Sequence, residues 1–99
     1  MSSQQGQNKG EMPVAEVVRI ADLVNYQEGS VVSRTIVKHA TGTVTLFAFD
    51  EGQGLSEHTA AFDAVALVLE GEVEITVSAK VLRTTAGEAV LLRQTSLML

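Results

Sequence analysis

Short runs of β-branched residues, each cut off by glycine or by a cluster of turn-forming residues, limit what this chain can fold into. Residues 31–37 read VVSRTIV, 43–49 TVTLFAF, 73–77 VEITV and 89–92 AVLL. Such runs crowd a helix and suit the pleat of a strand. Residues 72–77 alternate with a period of two, Val73, Ile75 and Val77 on one face and Glu72, Glu74 and Thr76 on the other. That pattern predicts a half-buried strand with an acidic outer face. Between the runs lie QEG at 27–29, HATG at 39–42, DEGQG at 50–54, EGE at 70–72, SA at 78–79 and AGE at 86–88. Each reads as a turn or short loop. Residues 14–20, 64–69 and 80–85 are further strand candidates, and 21–24 reads as a single helical turn. About six to eight short strands with no helix of useful length describe an all-β sandwich or barrel.

The chain has 99 residues, enough for one core and no second domain. Residues 1–12 are mostly Ser, Gln, Gly and Asn, with too little apolar surface to fold, and are expected to form a flexible polar tail. The folded domain is then 13–99, opening at Pro13, the only proline. Hydrophobic residues at 45% and charged residues at 19% exclude disorder for most of it. The absence of cysteine excludes disulfide scaffolds, thiolate metal centres and cysteine nucleophiles. A net charge of −5, with no basic cluster, argues against binding to nucleic acid or to an anionic membrane surface. The longest apolar run is the six residues 64–69, far from a membrane span. The opening MSSQQGQNKGE lacks the hydrophobic core of a secretory signal, so the chain is expected in the cytoplasm.

Residues 54–63, GLSEHTAAFD, followed by VLEGE at 68–72, resemble the first sequence motif of small single-domain cupins: a glycine, a His-x-His pair, an acid, then an apolar strand ending in glycine. AGEAVLL at 86–92 resembles the start of their second motif. The resemblance extends over 14–99 as an alternation of strands and turns. It implies a small cupin-type double-stranded β-helix (jelly-roll) barrel, commonly a homodimer and often holding a divalent metal in the barrel mouth. In the metal-binding members the first motif supplies two histidines and a glutamate, and the second supplies a third histidine. Counted from Gly71, His58 takes the first histidine position, Ala60 the second, and Val65 falls at about the acid; Met98 falls near the third histidine. One ligand of four is present. His58 is therefore the single metal candidate, and no cofactor is expected to be required. A metal site of useful affinity needs three or more N or O ligands, and a thioether such as Met98 suits Cu(I) rather than the usual oxygenase metals.

His58 reads as a contact or general base for a bound small molecule, or as a hydrogen-bonded structural histidine. Asp63 can orient its imidazole or simply sit at the surface, while Glu57 reads as a solvated acid. Gln53 and Ser56 can line a pocket mouth through amide and hydroxyl hydrogen bonds, or satisfy loop backbone. Arg34 can clamp a substrate carboxylate or project outward from its strand. His39, at a predicted hairpin tip, is expected to face water. Phe47, Phe49, Phe62 and Met98 read as core, and Glu70, Glu72 and Glu74 as a solvated acidic rim. No nucleophile elbow or phosphate-cradling loop occurs.

The chain closes on three apolar residues, Leu97-Met98-Leu99. The expectation is a barrel that stops short at its C-terminus, open at Leu91, Leu97 and Leu99, with the exposed edge covered by a second copy. Three functions remain: a small-molecule-binding barrel without a full metal site; a metal-dependent dioxygenase- or isomerase-like enzyme using His58 with non-standard ligands; and a truncated or degenerate barrel serving only dimerisation. The first is preferred.

Overall fold

The computed structural model describes residues 10–55, 58–59, 62–93 and 96–98, with 58–59 and 96–98 described as strand positions. The chain divides into two compact units, Met1–Gln53 and Gly54–Leu99. Among the described residues the only helical element is the 3₁₀ turn Ile20–Leu23, at the place the sequence indicates. No helix there is long and apolar enough to cross a membrane.

The first unit is built on an antiparallel pair, β1 (Val31–His39) and β2 (Gly42–Phe49), joined by the turn at Ala40-Thr41. His39 sits at that turn, exposed, with its Nδ1 3.2 Å from the Thr41 hydroxyl. The two-residue period of β2 buries Leu46 and Ala48, which forces Phe47 to the other face. Phe47 is 43% exposed and stacks on Phe49 with ring centroids 6.0 Å apart. Its expected place in the core is thus corrected by register. On the same face the hydroxyls of Thr35 and Thr45 meet across the strands at 3.0 Å. The ladder slips between Thr35 and Val37, so Ile36 is the additional residue of a bulge, and it is 2% exposed.

The predicted strand at 14–20 does not form. Ala15 takes a left-handed backbone, φ 61°, and Val14 and Val17 are almost wholly exposed. Valine content alone cannot make a strand where no partner ladder is at hand. This stretch is held instead by local polar contacts. The Met12 amide donates to the Ile36 carbonyl at 2.9 Å, and the Lys38 amide donates to the Glu11 carboxylate at 2.6 Å. Residues 10–12, assigned to the polar tail on composition, are therefore tied to β1; residues 1–9 lie outside the described residues.

The second unit holds six strands among its described residues: β3 (His58–Thr59), β4 (Ala64–Leu67), β5 (Glu72–Val77), β6 (Lys80–Thr85), β7 (Ala89–Leu92) and β8 (Ser96–Met98). One sheet runs in the order β3-β8-β5-β6, and β4 pairs separately with β7. The alternation in β5 is realised: Ile75 is 1% exposed, Val73 and Val77 are half-buried, and Glu72 and Glu74 face solvent. Ile75 and Leu92 form the core of this unit, packed by Ala66, Val73, Val77, Leu82 and Val90. The β5–β6 hairpin turns at Ser78 and Ala79, both at positive φ (49° and 68°), the pair of values a type I′ turn needs.

Of the three positions expected to be open at the chain end, Leu91 is 56% exposed, and Leu99 lies outside the described residues. Ser96–Met98 is an interior strand, paired on one side with β3 and on the other with β5. Phe62, read as core, is 79% exposed just ahead of β4.

Candidate functional site

The residues singled out in the sequence fall in both units. In the first, Arg34 stands on β1 opposite Leu46. A cation on a face otherwise occupied by buried Leu46 and Ala48 needs acceptors, and Arg34 finds two. Its Nε donates to the Gly10 carbonyl and its Nη1 to the Leu23 carbonyl, each at 2.9 Å. The guanidinium thereby pins both ends of the 10–23 segment. Gln53 is exposed at the end of a tight turn, its amide donating to the Asp50 carbonyl at 2.9 Å, with Gly52 at φ 83°. Asp50 also accepts the Gly29 amide at 2.7 Å, fixing the two loops to each other.

In the second unit, strand register is the informative quantity. His58 pairs with Leu97, and Leu97 pairs with Val77. Position 58 is thus in register, through position 97, with Val77, which packs against the core. Met98 pairs with Thr76, in the adjacent row. Position 98 is thus one register step away from the row that holds position 58. Ser56 lies outside the described residues.

Asp63 has a partner that sequence reading did not supply. Its Oδ2 accepts from Arg93 Nη1 at 2.9 Å, both side chains being well exposed. The two residues lie thirty positions apart, flanking Ala64 and Leu92, which are register partners of β4 and β7. Only that pairing makes them neighbours. Nor does local pattern single out Arg83, which faces Glu74 across the β5–β6 hairpin at 3.0 Å and reaches Glu72 at 3.8 Å. The acidic rim is therefore partly neutralised.

An open groove of about 570 Å³ runs beside β6 and β7, lined by Leu82, Thr84, Ala89 and Val90 together with Arg83 and Glu88. Neither charged group is idle. Arg83 is committed to the two glutamates. Glu88 Oε1 accepts from the Thr85 amide at 2.8 Å and the Thr85 hydroxyl at 3.0 Å. Those two donors, the amide first, hold the Glu88 carboxyl below its ordinary pKa. Asp63, the candidate of this unit whose side chain is described, does not line this groove.

At the ligand positions that the sequence resemblance implies, the described residues offer few donors. Val65, at about the acid position, carries no donor and is 68% exposed, its register partner being the exposed Leu91. Position 60 is alanine, and Met98 lies in the row next to that of His58. Among the described residues no three His, Asp or Glu side chains are grouped to hold an ion.

No protein-family model matches the chain, and no curated protein matches it. Solved structures do. A conserved protein of unknown function from Streptococcus pyogenes is similar at 25% identity and a TM-score of 0.82, over 89% of this chain and 78% of that one. A cupin superfamily protein from Desulfitobacterium hafniense DCB-2 is similar at 22% identity and a TM-score of 0.81, over 89% of this chain and 81% of that one.

Proposed function

We propose, from the premise that this chain is a small cupin-like domain of all-β, cupin-type barrel fold, that it binds a small organic molecule without a metal ion, with His58 as its polar contact. The row His58–Leu97–Val77 carries this reading. It puts position 58 in register with positions 97 and 77, and Val77 packs against the core of Ile75 and Leu92. Ligand sites are mostly apolar with a few polar groups that fix orientation. A neutral imidazole both donates and accepts, so it suits a hydroxyl or carboxylate oxygen. The donor-poor residues at 60, 65 and 98 support the metal-free form of the reading. The same reading puts the protein in the cytoplasm: a small domain with no cysteine has no disulfide staple of the kind secreted domains of this size use.

Thermal melts test the proposal. A compound that binds only the folded state adds about 2.7 kcal/mol at one hundred times its dissociation constant. The expected result is a cooperative transition indifferent to divalent metals, raised by a member of a panel of small carboxylates and phenols, with the rise abolished in His58→Ala. A transition raised by one metal, and no longer raised in His58→Ala, would replace this reading with a metal-dependent one.

A further inference from the structure

β6 ends its sheet: among the described residues it pairs with β5 on one side and with no strand on the other. The β5–β6 hairpin closes on two residues, so Val77 and Lys80 exchange both main-chain hydrogen bonds, and every second pair beyond them does the same. Lys80, Leu82 and Thr84 therefore turn their amides and carbonyls to β5, and Val81, Arg83 and Thr85 turn theirs away. Thr85 fits this alternation, for its amide donates to Glu88 and its carbonyl accepts the Glu88 amide. No described residue bonds to the main chain of Val81 or Arg83 along that edge. The edge lacks the usual guards as well: it has no proline and no bulge in its register, and its one lysine, Lys80, stands at the hairpin end. The groove beside β6 follows the same line. Val81 and Arg83 stand exposed on the outer face and Leu82 and Thr84 on the inner one, yet all four line the groove, with Ala89 and Val90 of β7 across from them. What four consecutive residues of a strand share on one side is its edge. Within the groove Thr84 is 3% exposed, and its hydroxyl has no hydrogen-bond partner among the described residues.

We infer that this edge receives an extended, uncharged segment of a partner protein as an added strand, its backbone bonded to Val81 and Arg83 and its alternate side chains in the groove. Chemistry selects the occupant. The outward amides and carbonyls of Val81 and Arg83 recur every second residue, about 6.8 Å along the strand, which is the repeat of an extended peptide backbone. A small molecule carries no such repeat. The charged groups of the groove are already engaged, Arg83 with Glu74 and Glu72, and Glu88 with Thr85. A charged side chain entering there loses water and finds no free counter-charge. Aliphatic residues suit Leu82, Ala89 and Val90. A serine or threonine suits Thr84, as the hydroxyls of Thr35 and Thr45 already meet across β1 and β2 at 3.0 Å. The edge also lies away from the His58 row: Thr84 pairs with Val73, and Val77, which stands in that row, pairs with Lys80 at the far end of β6. The inference therefore stands whether or not a ligand binds at His58.

Amide hydrogen exchange on the full chain tests it, with a capped hexapeptide of alternating threonine and valine as the probe. In the free protein the Val81 and Arg83 amides are expected to exchange as unprotected amides do. With saturating peptide both are expected to slow by roughly tenfold or more, in the wild type and in His58→Ala alike. The same peptide methylated at every backbone nitrogen is expected not to bind, since it keeps the side chains that suit the groove and loses the donors that suit the edge. Val81→Pro removes one outward amide where a strand edge tolerates proline, and is expected to weaken binding by about tenfold. The methylated peptide needs no variant, so the test holds even where that proline disturbs the hairpin. No slowing at either amide at millimolar peptide, or equal binding of the methylated peptide, would overturn the inference. So would protection of both amides in the peptide-free protein, which would mean that a second copy or the chain itself already covers the edge.

Discussion

The Glu88 carboxylate closes a small ring with Thr85, accepting that residue's amide at 2.8 Å and its hydroxyl at 3.0 Å through the same oxygen. The Glu88 amide returns to the Thr85 carbonyl at 2.9 Å, so the turn between β6 and β7 is tied in both directions.

This ring fixes a pH response. Hydrogen bonds to the charged form lower the Glu88 pKa. A depressed carboxyl contributes stability that is fully present above its unfolded pKa and is lost as pH falls through the folded one. Carbon-detected titration of Glu88 is expected to show a midpoint below the ordinary glutamate value. In Thr85→Val the midpoint rises but stays below ordinary, because the amide, the larger cause, remains. A midpoint in Thr85→Val equal to the wild-type one would show that the hydroxyl contributes nothing.

Arg34 makes a second prediction. Its two carbonyl contacts hold Gly10 and Leu23 to β1, and hydrogen bonds to a charged donor contribute about 1.5–3 kcal/mol each when buried. The site is only part-buried, so Arg34→Met is expected to cost roughly 2 kcal/mol in all. For a domain of this size that is a melting-temperature drop on the order of 10 °C. Amide exchange at Met12, bonded to the Ile36 carbonyl, should quicken in the same variant. An unchanged melt with Met12 still protected would remove the pinning role and leave the guanidinium for a ligand.

The turn at Ser78 and Ala79 predicts a gain. Both residues hold a left-handed backbone without being glycine, a strain of about 1–2 kcal/mol per residue. Asn-Gly is the preferred pair for this turn. Ser78→Asn with Ala79→Gly is expected to stabilise by about 1 kcal/mol, after the looser unfolded chain offsets part of the relief. The melting temperature should rise by roughly 4–8 °C. A lower midpoint would mean that the two side chains make contacts worth more than the strain they bear.

Local pattern made the hairpins readable in advance. β1 and β2 needed only a β-branched run, the HATG connection and another such run, and β5 needed only its alternation. What could not be read was pairing between strands distant in the chain. β4 meets β7 rather than the adjacent β5, and nothing within residues 64–69 carries that information. Residues 14–20 failed for the converse reason: their valines favour a strand, yet the chain there offers no ladder to join. The candidate site suffers doubly, since its members come from separate segments. The sequence marks Asp63 but not its partner Arg93, because the contact exists only once Ala64 has found Leu92. The row that sets His58 beside Leu97 and Val77 was equally hidden, and the same register took Met98 out of it.

The interior position of Ser96–Met98 also has a bearing on how this sheet comes into being on the ribosome. β5 and β6 are adjacent in sequence and can zip together as soon as both emerge, since closing a short loop is fast. β3 is made before either, yet its partner is β8, whose residue Leu97 is synthesised thirty-nine positions after His58. Until that segment leaves the exit tunnel, β3 has no strand to join and β5 keeps one flank bare. Completion of this sheet thus waits for residues 96–98, well after the β5–β6 hairpin can form.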